Sequence, residues 1–149
     1  MTDEFTRESL AIEAGRSFRS ERVCQVLDDL ICQRGAPGAL RSDNGPEFIA
    51  LVLQGLCHRY GIDPAPIELG QPWQNGFAES FHSRLRDEFL DGEVFLSVRQ
   101  AQVRLAGWRR DYNEERLHSS LGYITPNEFA ARWAEEAANK PMTKAALGS

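Results

Sequence analysis

A chain of 149 residues has the length of one domain, and its apolar fraction of 42% is enough to fill a single core. Its net charge of −5 lacks the broad basic surplus of most nucleic-acid binders, so DNA remains open only through a metal site or a local groove. Three cysteines, Cys24, Cys32 and Cys57, form no C-x-x-C pair, which excludes a disulfide framework or zinc site and suits reduced, mostly buried thiols. With no apolar run of membrane-spanning length and no basic-then-apolar leader, the expectation is a soluble, cytoplasmic protein without a membrane partner.

The first seven residues, Met-Thr-Asp-Glu-Phe-Thr-Arg, read as a turn. Ser9 to Ala14 alternates, with Leu10 and Ile12 on one face, and is predicted as a strand. A domain that opens in mid-hairpin suggests a segment upstream. From Ser20 to Arg34, Val23, Val26, Leu27, Leu30 and Ile31 recur at helical spacing, with Ser20 as N-cap and Gly35 just past the end. Ala39 to Ser42 is a brief strand ending at Asp43-Asn44-Gly45. Pro46 suits a first helical position, and Phe48, Leu51, Val52, Leu56 and Tyr60 give a second helix closed by Gly61. Two prolines reduce Ile62 to Leu69 to an edge strand or an extended loop, and residues 70 to 75 are a loop. A third helix is predicted over 76–90. A fourth over 97–113 carries Val98, Ala101, Leu105 and Trp108 on one side, and a short one spans 126–137 before a frayed tail. Strands alternating with helices indicate an α/β layered domain.

Asp43 sits after a strand and before a tight turn, a place where ligands collect at a sheet edge. Taken alone, the position is better read as a cap of the helix beginning at Pro46, a role for Asn44 before Asp43. In the third helix Phe77, Phe81, Leu85 and Phe89 form a core stripe, while Glu79, His82, Ser83 and Arg86 share the opposite face. The preceding loop, Gln71-Pro-Trp-Gln-Asn-Gly76, holds a large aromatic and amides that can stack on and hydrogen-bond a nucleic-acid strand. Trp73 suits a core anchor equally well. His58, His82 and His118 have no metal-ligand spacing. Arg99, Arg104, Arg109 and Arg110 on the fourth helix read first as a solvated face and second as contacts to a DNA backbone.

Taken together, R-S-D-N-G-P-E-F at Arg41 to Phe48 and Q-P-W-Q-N-G-F-A-E-S-F at Gln71 to Phe81 resemble the signature of OrfB-type insertion-sequence transposases, relatives of retroviral integrases. Between Asp43 and Glu79 lie 35 residues, the spacing named in that family's D-D-35-E label. R-R-D-Y-N-E-E-R-L-H-S-S-L-G-Y-I-T-P-N-E-F, Arg109 to Phe129, resembles its C-terminal signature. The chain departs at His82-Ser83-Arg84, where relatives commonly read Asn-Gly-Lys, and at Leu117, where they read Pro.

The resemblance implies a ribonuclease H-like integrase core with an incomplete mixed sheet flanked by helices and a helical C-terminal extension. Its organisation would be a partial catalytic core over 1–115 and an extension with tail over 116–149. Asp43 would be the second catalytic Asp and Glu79 the catalytic Glu, together ligating Mg²⁺ or Mn²⁺, while Asn44, Trp73, Gln74, Asn75, His82 and Arg86 would contact DNA. Such chemistry uses two ions about 3.5–4 Å apart, and hard cations take oxygen ligands. The family's first Asp has no counterpart: Asp3 matches a turn position, and Asp28 and Asp29 are expected to face solvent. The expectation is therefore a transposase fragment lacking its first strands and inactive by itself. Loss of those strands, in an implied order 3-2-1-4-5, would open a sheet edge, leading either to self-association through it or to a shifted strand pairing within the monomer. The competing functions are a non-catalytic DNA-binding remnant that associates with a full-length transposase, and a ribonuclease H-type hydrolase, which the integrase-like tail and amide-rich loop disfavour.

Overall fold

The computed structural model describes residues 1–42, 47–66 and 76–140. It forms two compact units, one of residues 13–102 and one of residues 1–12 with those from 103 onward.

In the first unit, helix α1 (Ser20–Arg34) and helix α2 (Glu47–Tyr60) are connected through strand β1 (Ala39–Ser42). Their apolar stripes meet in a core of Leu27, Leu56, Cys57 and Ile62, flanked by Val23, Cys24, Ile31, Leu40, Leu53 and Tyr60. Burial of each large aliphatic side chain there stabilises the unit by about 2 kcal/mol. At the edge of this core the Tyr60 hydroxyl donates to Asp28 Oδ1 at 2.8 Å, so Asp28 is half-buried rather than solvent-facing. That bond, followed by burial, raises the Tyr60 pKa. Ser20 begins α1 as a buried helical residue, and Arg19 occupies the cap position without a side-chain bond. The helix stops where Gly35 turns to φ +86 and returns its N–H to the Ile31 carbonyl at 2.8 Å. Of the thiols, Cys57 is buried and Cys24 half-buried, whereas Cys32 is exposed; burial raises the pKa of Cys24 and of Cys57.

Strand β2 (Asp63–Pro66) pairs with β1 in parallel, Ala39 opposite Asp63 and Ser42 opposite Pro66. Asp63 N–H points to the Gly38 carbonyl at 3.0 Å, so alternation turns the nitrogens of Pro64 and Pro66 away from β1. Prolines are tolerated there because no ladder bond needs them, as an edge position predicts. Among the described residues the sheet has these two strands, and antiparallel pairing is confined to isolated bridges at Thr2–Ser9 and His118–Ile124.

The predicted 76–90 helix is α-helical over α3 (Gly76–Leu85) and widens into a π-helical turn over Arg86–Leu90, closed by Asp91 N–H to the Arg86 carbonyl at 2.8 Å. Phe89 is buried and stacks on Phe95 at 5.3 Å, while Leu90 is exposed. Helix α4 (Val98–Glu114) starts at a cap in which Ser97 Oγ accepts from Gln100 N–H at 3.1 Å, and the Gln100 side chain accepts from Leu96 N–H at 2.7 Å.

In the second unit, the opening residues form the expected turn. Asp3 Oδ1 accepts the N–H groups of Phe5 (2.8 Å) and Thr6 (2.9 Å), and Asp3 N–H reaches the Glu8 carbonyl at 2.9 Å. Residues 9 to 14, expected as a strand, are not one. The Ser9 carbonyl takes Arg109 Nε at 2.6 Å and Asn113 Nδ2 at 3.0 Å, and the Leu10 carbonyl takes Arg109 Nη2 at 2.6 Å. Ser9 N–H donates to Asn113 Oδ1 at 2.8 Å. Side chains of α4 thus occupy groups that a neighbouring strand would otherwise use.

Tyr112 is buried between Trp108, stacked at 5.3 Å, and His118, edge-on at 5.1 Å. A 3₁₀ turn (Ser119–Leu121) leads to helix α5 (Pro126–Asn139). Thr125 caps α5 through a reciprocal pair: its Oγ1 accepts Glu128 N–H at 3.2 Å, and Glu128 Oε2 accepts Thr125 N–H at 2.9 Å. No described helix is long and apolar enough to cross a membrane.

Candidate functional site

Glu79 lies in the first turn of α3, where an acid complements the positive end of the helix dipole. The apolar stripe fixes the helix orientation, with Phe81 and Phe89 buried and Phe77 and Leu85 half-buried. Glu79, His82, Ser83 and Arg86 are consequently all exposed on the other face. His82 rests edge-on against Phe81, ring centroids 5.9 Å apart, which tethers its imidazole to the core stripe. Arg86 opens the π-helical turn, a local widening that proteins often place at functional sites. The face therefore presents a carboxylate, an imidazole and a guanidinium from one rigid element, with a length of about 10 Å from Glu79 to Arg86 at 1.5 Å per residue.

Asp43, Asn44, Trp73, Gln74 and Asn75 lie outside the described residues. Among those described, no group of three or more His, Cys, Asp or Glu side chains gathers at metal-binding distance. A cleft of about 1150 Å³ is lined by Arg19 and by α1 and α2 residues including Cys24, Asp28, Leu56 and Arg59, and by none of the residues the sequence nominates.

Of the four α4 arginines read as a solvated face, Arg99, Arg104 and Arg110 are exposed, whereas Arg109 is half-buried and its guanidinium is spent on two backbone carbonyls. Asn113 went unnoticed in the sequence. Its spacing of four from Arg109 puts both on one helix face, a signal that only becomes specific once the partner backbone is known.

Two models of the integrase core domain match this chain, over residues 1–72 and 60–126. The chain is 42% identical, over 142 residues, to an uncharacterized 39.2 kDa protein of insertion element IS476 from Xanthomonas euvesicatoria, covering 95% of this chain and 41% of that protein. It is 39% identical, over 132 residues, to an uncharacterized 31.7 kDa protein of insertion element IS407 from Burkholderia multivorans, covering 89% and 48%. It thus spans less than half the length of these relatives. In structure it is similar to the catalytic core domain of HTLV-2 integrase, a dimeric form in complex with magnesium, with a TM-score of 0.58, 18% identity, and coverage of 86% of this chain and 79% of that one. That likeness gives the fold, ribonuclease H-like. Core-domain matches running through both motif-bearing halves, with insertion-element relatives on either side of 40% identity, place the chain in the integrase core-domain family.

Proposed function

We propose that this chain is the core segment of an insertion-element DNA transposase, built for metal-dependent phosphoryl transfer on DNA ends. The observation that carries the reading is Glu79, held in the first turn of α3 on an exposed polar face whose opposite side is anchored by buried phenylalanines. A carboxylate so presented is accessible, and its oxygens are the donor type that Mg²⁺ or Mn²⁺ takes.

Glu79 and Asp43 would hold the ion, which would supply activation of the attacking hydroxyl and stabilisation of the leaving oxygen. The chain's own contribution is orientation. Arg86 and His82, on the Glu79 face, would take DNA phosphates near the reacting strand. Asn44, Trp73, Gln74 and Asn75, which precede α2 and α3 in the chain, would supply amide and stacking contacts. The acidic net charge makes this a local grip rather than a broad basic surface.

The 149 residues carry two of the three carboxylates that the resemblance implies. Assayed alone, they are expected to bind the terminal inverted repeats of their own element with salt-dependent affinity and neither to cleave nor to join them. Absence of DNA binding at low salt would overturn the transposase reading. Turnover in Mg²⁺ or Mn²⁺ that disappears in Glu79→Gln would overturn the inactivity.

A further inference from the structure

The loop from His118 to Ile124 is held by a set of short-range backbone bonds. His118 N–H bonds the Ile124 carbonyl at 3.0 Å, Leu121 and Tyr123 return their N–H groups to the His118 carbonyl at 3.0 and 2.9 Å, and Gly122 N–H reaches the Ser119 carbonyl at 3.1 Å. His118 and Leu121 are buried, His118 against Tyr112, and the chain leaves through buried Thr125 and Pro126 into the capped α5. Out of this frame stands Tyr123. It is 71% exposed and has φ +61, directly after Gly122 at φ +78.

Two successive left-handed residues suit glycine or asparagine. A tyrosine in that conformation is strained, and an exposed ring recovers none of the strain through burial. Strain of this kind, in a segment otherwise over-determined by its bonds, is what binding elements retain. Beside it, Ser119 and Ser120 are exposed, as is Leu117. From Leu117 to Asn127 the chain has no acidic residue, although its net charge is −5, so a polyanion meets no carboxylate of this stretch.

We propose that Tyr123 is a pre-positioned stacking residue that packs on an unpaired or terminal nucleobase of the bound DNA, with the Ser119 and Ser120 hydroxyls available to the sugar–phosphate backbone. This rests on the DNA-binding reading above. Base stacking needs an aromatic face held at a fixed angle and no net charge, which suits a neutral, rigid loop. A protein partner seated on the ring is the competing occupant.

The test compares the wild-type chain with Tyr123→Asn, Tyr123→Phe and Tyr123→Trp, using fluorescence anisotropy with an inverted-repeat duplex carrying a short single-stranded overhang. Melting temperatures are measured in parallel. Asparagine accepts the left-handed backbone, so Tyr123→Asn is expected to melt at or above the wild-type temperature while binding the overhang DNA about tenfold more weakly. Phe and Trp keep the affinity, and the salt dependence is the same in all four because no phosphate contact is lost. Unchanged affinity in Tyr123→Asn, the result expected of a protein-docking residue, overturns the proposal and leaves the DNA reading standing. A loss of affinity that accompanies a fall in melting temperature also overturns it. Failure of the wild-type chain to bind DNA removes both.

Discussion

Replacing Asn113 by alanine tests whether the clamp on residues 9 and 10 holds the second unit together. The amide makes two bonds to the backbone of a single residue, accepting Ser9 N–H at 2.8 Å and donating to the Ser9 carbonyl at 3.0 Å, and Ser9 is 0% exposed. The carbonyl keeps Arg109 Nε at 2.6 Å after the substitution, so losing the amide donor costs about 1 kcal/mol. Ser9 N–H has no such substitute. A buried donor stranded without an acceptor costs about 1–3 kcal/mol. The sum, about 3 kcal/mol, is a large share of the roughly 5–15 kcal/mol that holds a domain folded. Asn113→Leu separates hydrogen bonding from packing, because it fills similar volume and offers no polar atom. Urea denaturation followed by tryptophan fluorescence gives the free energy, and hydrogen exchange at the Ser9 amide reports the clamp directly. Both variants should fall by similar amounts and expose that amide. An alanine variant within about 0.5 kcal/mol of wild type, the scale of an ordinary surface change, would refute the clamp. A leucine variant restored to wild type would refute its hydrogen-bond basis.

Thr125→Ala removes the α5 capping box and should lower stability by about 1 kcal/mol in the same urea assay. The Glu128 pKa is lowered, first by its bond to the Thr125 backbone, so its contribution is present above the ordinary carboxylate range and fades as pH falls through the folded value. Acid titration of unfolding should therefore show a component below about pH 4.5 that Glu128→Gln abolishes; an identical profile in that variant would exclude it. For assembly, β1 has β2 on one side and, among the described residues, no strand on the other, so self-association along that edge is expected. Light scattering should return a mass above 16.8 kDa at micromolar concentration, and a strictly monomeric mass would refute it.

What could be read from the letters follows from how local each determinant is. The bounds of α1, β1 and α2 came from apolar spacing closed by Gly35 and Gly61, both of which take positive φ. The exposed face of Glu79, His82 and Arg86 came from the phenylalanine stripe beneath it, a purely periodic signal. Ser9 to Ala14 failed for the opposite reason. Alternation there is genuine, but the outcome was decided by Arg109 and Asn113, about a hundred residues away. Periodicity has no access to a side chain that takes a carbonyl from so distant a segment. The π-helical turn at Arg86 is equally hidden, since the phenylalanine at 89 fits either winding and the turn is defined by its backbone, with Asp91 N–H bonded to the Arg86 carbonyl.

The three motifs that carry the family resemblance therefore differ in kind. In the one ending at Phe81, Glu79 and Ser80 are exposed and available to ligands. Several residues of the C-terminal one serve the fold: Arg109 and Asn113 bind the turn at residues 9 and 10, Tyr112 and His118 pack on each other, and Thr125 with Glu128 starts α5. Those residues are explained by fold, and variants of them should be read first through stability. Tyr123 has no such part in the fold: its ring is 71% exposed and its backbone takes φ +61, directly after the exposed Gly122 at φ +78. A residue held in a strained conformation, at a cost its surroundings do not return, is where function rather than folding accounts for the side chain.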